Sequence, residues 1–310
     1  MRKILCSFVF LILITFQTSA QISEKNYKIY SVKLGREVSP KEIADDMKNY
    51  SVLFFGEEHN DSVTHFLELK MLEAMYQSFG GKMALSMEMF DRDVQTVMNE
   101  YLSGHIRERN FTKDARCWSN YRDYRPMIEF AKEKNLKVIC ANAPSRYTNL
   151  AGRKGQTALK ELGAASKKNF APLPYDTARG GYYDKLMGLS SHTPSSGTDT
   201  TTKKAPPMAG MGGFSLIQAQ SLWDATMAYS IAEYLKEYKS HKVLQINGRF
   251  HSDEGFAAVT QLKKYSPKTK ALVISSGSDE AYPNIEWSKY IHEGDYIIIT
   301  DPTVPKTYSN

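Results

Sequence analysis

Short continuous apolar runs alternate along this chain with longer stretches in which apolar residues recur every third or fourth position. The runs "SVLFF" (51–55), "KMALSMEM" (82–89), "LKVICAN" (136–142), "KVLQIN" (242–247) and "KALVISS" (270–276) read as strands, and "YIIIT" (296–300) as a last edge strand. The stretch 61–80 reads as a helix, with Phe66, Leu69, Leu72 and Met75/Tyr76 at helical spacing and Gly80–Gly81 as its stop. Residues 125–135, 217–238 and 256–267 read the same way. The N-terminal segment 21–50 shows one short helix, "SPKEIADDMKNY", with Ser39 as its cap. Strands that are apolar on both faces and alternate with amphipathic helices predict an α/β fold, a mostly parallel sheet flanked by helices.

Two segments break the alternation. Residues 91–124 are polar and aromatic with helical patches, and residues 144–216 open on a helical piece and then lose the pattern. Within the latter, 188–213 is rich in Ser, Thr, Gly and Pro and reads as a long flexible loop. Both segments are expected to lie over one end of the sheet as a smaller helical cap, within a single domain spanning 21–310.

The first twenty residues stand apart. A basic start, the apolar run "ILCSFVFLILITF" and the small-residue ending "QTSA" make a secretory signal peptide with cleavage near Ala20. Cys6 lies at the start of the run, so no lipid-attachment motif is seen, and a soluble periplasmic or secreted protein is expected. Of 310 residues, 42% are hydrophobic, enough for a sizeable core. The net charge is +6, of which Arg2 and Lys3 belong to the leader. The remaining charge of about +4, spread over helical faces, excludes an argument for nucleic acid. Cys117 and Cys140 do not make a disulfide framework, and Cys140, inside an apolar strand, reads as buried and inert.

Ligands of open parallel sheets bind beyond the carboxyl ends of the strands. There the first strand delivers Gly56, Glu57, Glu58 and His59, the second Glu88, the third Asn142, and the fourth Asn247, Gly248, Arg249 and His251. Asp224, early in the helix at 217–238, lies on the margin of an apolar stripe and needs a partner. His65 and Glu68, three residues apart on a helix, can face one another. Two histidines and a glutamate can bind a divalent metal with open positions, or serve as a general base with an orienting acid. A third reading makes them a polar network that only ties strand ends together.

The ordered set "GEEHN", "EMF" with "VQTVMNEYLSG", "YRPMIEFAKEKNLKVICANAPSR", "AQSLWDATMA" and "INGRFH" resembles the ChaN-like haem-binding family, in the group that also holds erythromycin esterase and the Tiki proteases. The resemblance runs from about residue 50 to 276. It implies haem as cofactor, a homodimer with haem at or near its interface, and a role in haem or iron uptake with an outer-membrane receptor as partner. In the enzymatic relatives it implies an active centre at positions matching His59, Glu88 and His251, with Glu57 as the acid of the Gly-x-x-His motif. Candidate haem contacts are Glu57, His59, Asp224, Arg249 and His251, with Tyr121, Tyr124 and Tyr147 as candidate tyrosine ligands. The chain departs from the family pattern at Asn60, where an Asp usually follows the motif His, and in the 188–213 insertion. The leading expectation is a haem-binding protein; the alternative is a hydrolase using His59, Glu88 and His251 with or without a zinc-like divalent metal.

Overall fold

The computed structural model describes residues 22–191 and 213–308. The predicted leader, and the part of the predicted loop from 192 to 212, lie outside the described residues. In chain order the elements are β1 (Tyr27–Ser31), β2 (Arg36–Glu37), α1 (Pro40–Asp46), β3 (Val52–Glu57), α2 (Ser62–Phe79), β4 (Met83–Asp91), α3 (Gln95–Leu102), α4 (Glu108–Asp114), α5 (Tyr121–Glu133) and β5 (Lys137–Asn142). They continue with α6 (Ser145–Leu159), α7 (Ala164–Lys167), α8 (Gly180–Ser191), α9 (Gly213–Glu237), β6 (Lys242–Gly248), α10 (Ala257–Tyr265), β7 (Ala271–Ser278) and β8 (Tyr296–Thr300).

The fold is α/β. Eight strands form one sheet in the order β2-β1-β8-β7-β3-β6-β4-β5. The six strands from β8 to β5 run parallel, and β1 joins β8 antiparallel, as β2 joins β1. The predicted edge position of β8 is therefore corrected, since β1 covers its outer side. The stretch "YKIYS" of β1 escaped a pattern search because its five residues are half polar and only two of them are buried.

Successive strand residues point to opposite faces. On one face Leu53 and Phe55 of β3, Leu85 and Met87 of β4, and Leu244 and Ile246 of β6 pack under α1, α2 and α5 through Ile43, Leu67, Met71 and Met127. On the other, Val52, Phe54, Ala84 and Val243 pack under α9 and α10 through Met227, Ile231, Ala258 and Leu262. The chain leaves β3 through α2 and passes β6 to reach β4. It leaves β6 through α10 and passes β3 to reach β7. The strand order thus reverses between β3 and β6, and a crevice opens at their carboxyl ends.

Helix ends follow local chemistry. Ser39 and Glu42 form a reciprocal capping box with Pro40 at the first helical position. Asp61 caps α2 by accepting from the backbone N–H groups of Val63 and Thr64 at 2.9 and 3.0 Å. Residues 180–191 form α8, so the predicted loop is corrected at its start, and Gly213 already belongs to α9. α8 opens on two glycines and has weak amphipathicity, which hid it; Tyr182 and Leu186 nevertheless pack on Leu216, Ile217 and Ala257. No helix among the described residues is long and apolar enough to cross a membrane.

Candidate functional site

β3 reaches the crevice through Gly56, and this position has no room for a side chain. A Cβ there would lie 2.8 Å from Arg249 Cα and 2.9 Å from Ser252 Oγ. The chain then carries Glu57 inward and His59 to the mouth. Glu57 Oε1 receives the Nδ1 of His59 at 2.8 Å and the hydroxyl of Tyr124, on α5, also at 2.8 Å. The side chain of Glu57 is fully buried, whereas that of His59 is 35% exposed. Trp118 meets the His59 ring edge-on, centroids 5.2 Å apart, and Asn120 donates to the His59 carbonyl at 3.3 Å.

β6 delivers the second histidine through a tight helical turn at Arg249–His251, which Asn247 ties to Ser252 at 3.0 Å. His251 Nδ1 lies 2.6 Å from Asp224 Oδ1 on α9, and the Tyr182 hydroxyl of α8 donates to Asp224 Oδ2 at 2.7 Å. Glu88, from β4, completes the arrangement. Its Oε1 is 3.5 Å from His251 Nε2, and its Oε2 accepts from the Gly248 N–H at 2.7 Å. Gly248 is the point of contact between the halves, because a Cβ there would lie 2.8 Å from His59 Nε2 and 3.7 Å from Glu88 Oε2.

Two tyrosine–carboxylate–histidine sets therefore flank Glu88: Tyr124–Glu57–His59 from one face of the sheet and Tyr182–Asp224–His251 from the other. In each, the carboxylate holds Nδ1 and leaves Nε2 as the working atom, the arrangement that orients metal-binding histidines. The charges reinforce one another. Burial opposes the charge of Glu57, but His59 and His65 outweigh it and bring the carboxyl down to about 2. Burial likewise opposes charge on His251, yet Glu88 and Asp224 push it up to about 10. Burial raises Asp224, and His251 holds Glu88 below the ordinary carboxylate range against its own burial. An imidazolium at His251 is a poor proton acceptor near neutrality, which weighs against a metal-free general base there. A cation bound at Nε2 would replace that proton.

His59, Glu88 and His251, with Glu57 and Asp224, are thus brought together. Arg249 is turned aside to Asp253 at 2.8 Å and to Glu293, with Glu58 at 3.9 Å. Of the three candidate tyrosines, Tyr124 reaches the site, but as a buried donor to Glu57. Tyr121 packs on Phe111, centroids 5.9 Å apart. Tyr147 is buried against Phe170 in a separate apolar cluster. Neither is among the side chains that meet at the strand ends. Asn142 accepts from the Ala143 N–H at 2.9 Å and serves its own turn. Trp118 and Asn120 were not singled out as site residues from the sequence, and Tyr182 was read there as a cap residue that could cover a flat apolar ligand. Asp224's need for a partner was the one signal for its contact with Tyr182. A cavity of about 650 Å³ runs along β5 past Gln95, Lys137 and Tyr238, and the strand-end histidines do not line it.

Residues 43–262 match the family described as haem-binding uptake, Tiki superfamily, ChaN. The chain belongs to this family. The matched span takes in both Gly-x-x-His motifs, Glu88 and Asp224, while β1, β2, β7 and β8 lie outside it. A solved structure described as cofacial heme binding to ChaN of Campylobacter jejuni superposes with a TM-score of 0.66 at 15% identity, over 89% of this chain and 98% of that one. The type III effector HopBA1 aligns with a TM-score of 0.42 at 12% identity, over 85% of this chain and 94% of that one. No curated protein matches the chain.

Among the described residues of the crevice, His59 offers a ring nitrogen to be weighed as a haem ligand. A haem needs a coordinating atom that an iron can approach, held in a defined orientation. His59 is half-exposed, its Nδ1 is anchored on Glu57, and Trp118 lies against it. The rings of Tyr124 and Tyr147 are buried.

Proposed function

We propose that this protein binds haem at the mouth of the β3–β6 crevice, with His59 as the axial ligand. The observation that carries the reading is the half-exposed His59 ring whose Nδ1 is fixed by the buried Glu57, within a chain of the ChaN family. Glu57 sets the tautomer, so Nε2 carries the lone pair for an iron. Trp118 and Tyr308 supply apolar surface beside it; Tyr308 is 39% exposed and its carbonyl accepts from Asn60. Arg122, whose side chain is 75% exposed, stands on the same rim, bonded to the Thr307 carbonyl, and suits a haem carboxylate. Bound haem supplies an iron held in a porphyrin, the cargo of an uptake protein.

Titration of the protein from residue 21 onward with haemin tests this directly. A saturable red-shifted Soret band is expected, lost or strongly weakened in His59→Ala and unchanged in Tyr147→Phe. No saturable band at micromolar protein, or one indifferent to His59→Ala, refutes it. Export with cleavage near Ala20, pairing of two copies over the haem, and delivery to an outer-membrane receptor complete the proposal. N-terminal sequencing of exported material, light scattering with and without haemin, and co-purification with envelope receptors test these parts.

The arrangement of His59, Glu88 and His251 supports a second reading, a divalent-metal hydrolase. Two carboxylate-held histidines converge on a third acid, with the ligand types of a catalytic zinc site. An esterase and peptidase panel, with His251→Ala as control, tests it.

A further inference from the structure

Beneath His59 lies a second cluster that the haem reading does not use. We propose that Glu57, His65 and Glu68 form a buried site for one divalent first-row transition-metal ion.

The geometry comes first. His65 Nδ1 is 3.1 Å from Glu68 Oε2 and 3.3 Å from Glu57 Oε2. One ligand atom from each of the three residues lies within 4.8 Å of the other two. Ligands bound to a common ion at about 2.0–2.2 Å stand roughly 3 Å apart, so these atoms close on an ion with little movement.

The hydrogen-bond pattern also points to a cation. His65 Nε2 lies 3.1 Å from the His59 carbonyl oxygen. A carbonyl can only accept, so Nε2 carries a hydrogen, and Nδ1 is the nitrogen that faces the two carboxylates, where a bound cation would replace its proton. A proton at Nδ1 would serve one of them. Glu57 Oε2 and Glu68 Oε1 remain buried with no hydrogen-bond partner, on side chains that are fully buried. Among the described residues, neither glutamate pairs with a lysine or arginine. Asp123 adds negative charge nearby, its Oδ2 4.0 Å from His65 Nε2; its arginine neighbour, Arg122, is on the exposed side at 3.5 Å. A divalent ion would satisfy the orphaned oxygens and neutralise the paired carboxylates together.

The surroundings are those of a metal ligand. The N–H of His65 is fixed by a backbone carbonyl, as metal-bound histidines usually are. One imidazole and two carboxylates favour zinc, manganese or ferrous iron over calcium or magnesium, which take all-oxygen sets. Since Glu57 Oε1 holds His59, an ion on its other oxygen would also stiffen the His59 support.

The test uses haem-free protein stripped with chelator and dialysed against zinc or manganese alone, with metal then counted by mass spectrometry. The wild type is expected to retain about one equivalent and to gain thermal stability from it. Glu68→Gln, nearly isosteric, and His65→Asn are expected to lose both, with circular dichroism confirming that each is folded. His251→Ala is expected to keep them. A wild type that retains no metal overturns the proposal, as does metal that survives Glu68→Gln and vanishes in His251→Ala. With no haem present, the outcome is independent of the haemin titration.

Discussion

Gly56 and Gly248 allow the packing argument at the crevice to be tested sharply, because the same substitution should act differently at each. A Cβ at Gly56 would sit 2.8 Å from Arg249 Cα, 2.9 Å from Ser252 Oγ and 3.1 Å from Arg249 Cβ. The first neighbour is backbone, so relief requires β3 and the Arg249–His251 turn to separate by about 0.6 Å, the shortfall from a 3.4 Å contact. Overpacking of that kind in a close-packed interior costs about 1–3 kcal/mol, or roughly 2–12 °C in Tm for a protein of this size. The turn that must move carries His251, so the relation between the two histidines changes with it. At Gly248 the nearest atom, also at 2.8 Å, is His59 Nε2, the tip of a half-exposed ring that can swing outward. Gly248→Ala is therefore expected to cost under about 1 kcal/mol while disturbing haemin binding through His59. Thermal unfolding by circular dichroism and Soret titration of both variants measure the contrast. A Gly56→Ala protein melting within about 1 °C of wild type would show that the strand and turn are not packed as tightly as described.

Tyr182→Phe removes the donor to a buried carboxylate oxygen and is expected to lower stability by about 1–3 kcal/mol, read from urea unfolding; an unchanged midpoint would mean that water replaces the hydroxyl. Asp61→Ala removes the cap of α2 together with the partners of Thr300 and Lys306, at 2.8 and 2.7 Å; a loss of at least about 1–2 kcal/mol is expected by the same assay. In the haem- and metal-free protein, stability should depend on pH on both sides of a plateau. Glu57, lowered from 4.5 to about 2, stabilises fully above pH 4.5 and loses that contribution as pH falls toward 2. His251, raised from 6.5 to about 10, stabilises fully below pH 6.5 and loses that contribution as pH rises through 10. Urea midpoints that stay flat from pH 7 to 10 would contradict the buried charges.

The parallel strands were legible because burial on both faces makes a strand an unbroken apolar run. β3, β4, β6 and β7 appear within a few residues of their expected bounds. β1 was not, because its identity comes from pairing with β8 rather than from any pattern in "YKIYS". The meeting of His59, Glu88 and His251 followed from strand ends and a general rule about open sheets. Asp224 followed from the cost of burying a carboxylate. The support around them did not follow: that Tyr182 reaches Asp224 depends on how α8 folds back on α9, and no periodicity encodes that contact. Two of the tyrosine candidates, Tyr121 and Tyr147, pack on aromatic neighbours instead of meeting the strand-end cluster. Aromatic residues in a polar segment look available in sequence, yet here their rings are the packing that positions the segment. His65 and Glu68 were read as a facing pair, and a pair they are; the two orphaned oxygens beside them emerge only when Glu57 is brought alongside.

The placement of the site at β3 and β6 has a topological cause. Between β3 and β6 the leaving helices depart to opposite faces, α2 with α5 on one and α10 with α9 on the other. Each face can then send its own support to the strand ends without crossing the other. Tyr124 and Glu57 fix His59 from the α2 side; Tyr182 and Asp224 fix His251 from the α9 side. The glycines at 56 and 248 let the two halves touch, and Glu88 stands between them. The halves differ in one respect that bears on function. His251 is closed in, with 7% of its side chain exposed, while His59 keeps 35%. Of the two halves, the one carrying His59 is therefore the more open to a large planar ligand. A small ion could be enclosed deeper, where the Glu57 and Glu68 side chains are fully buried.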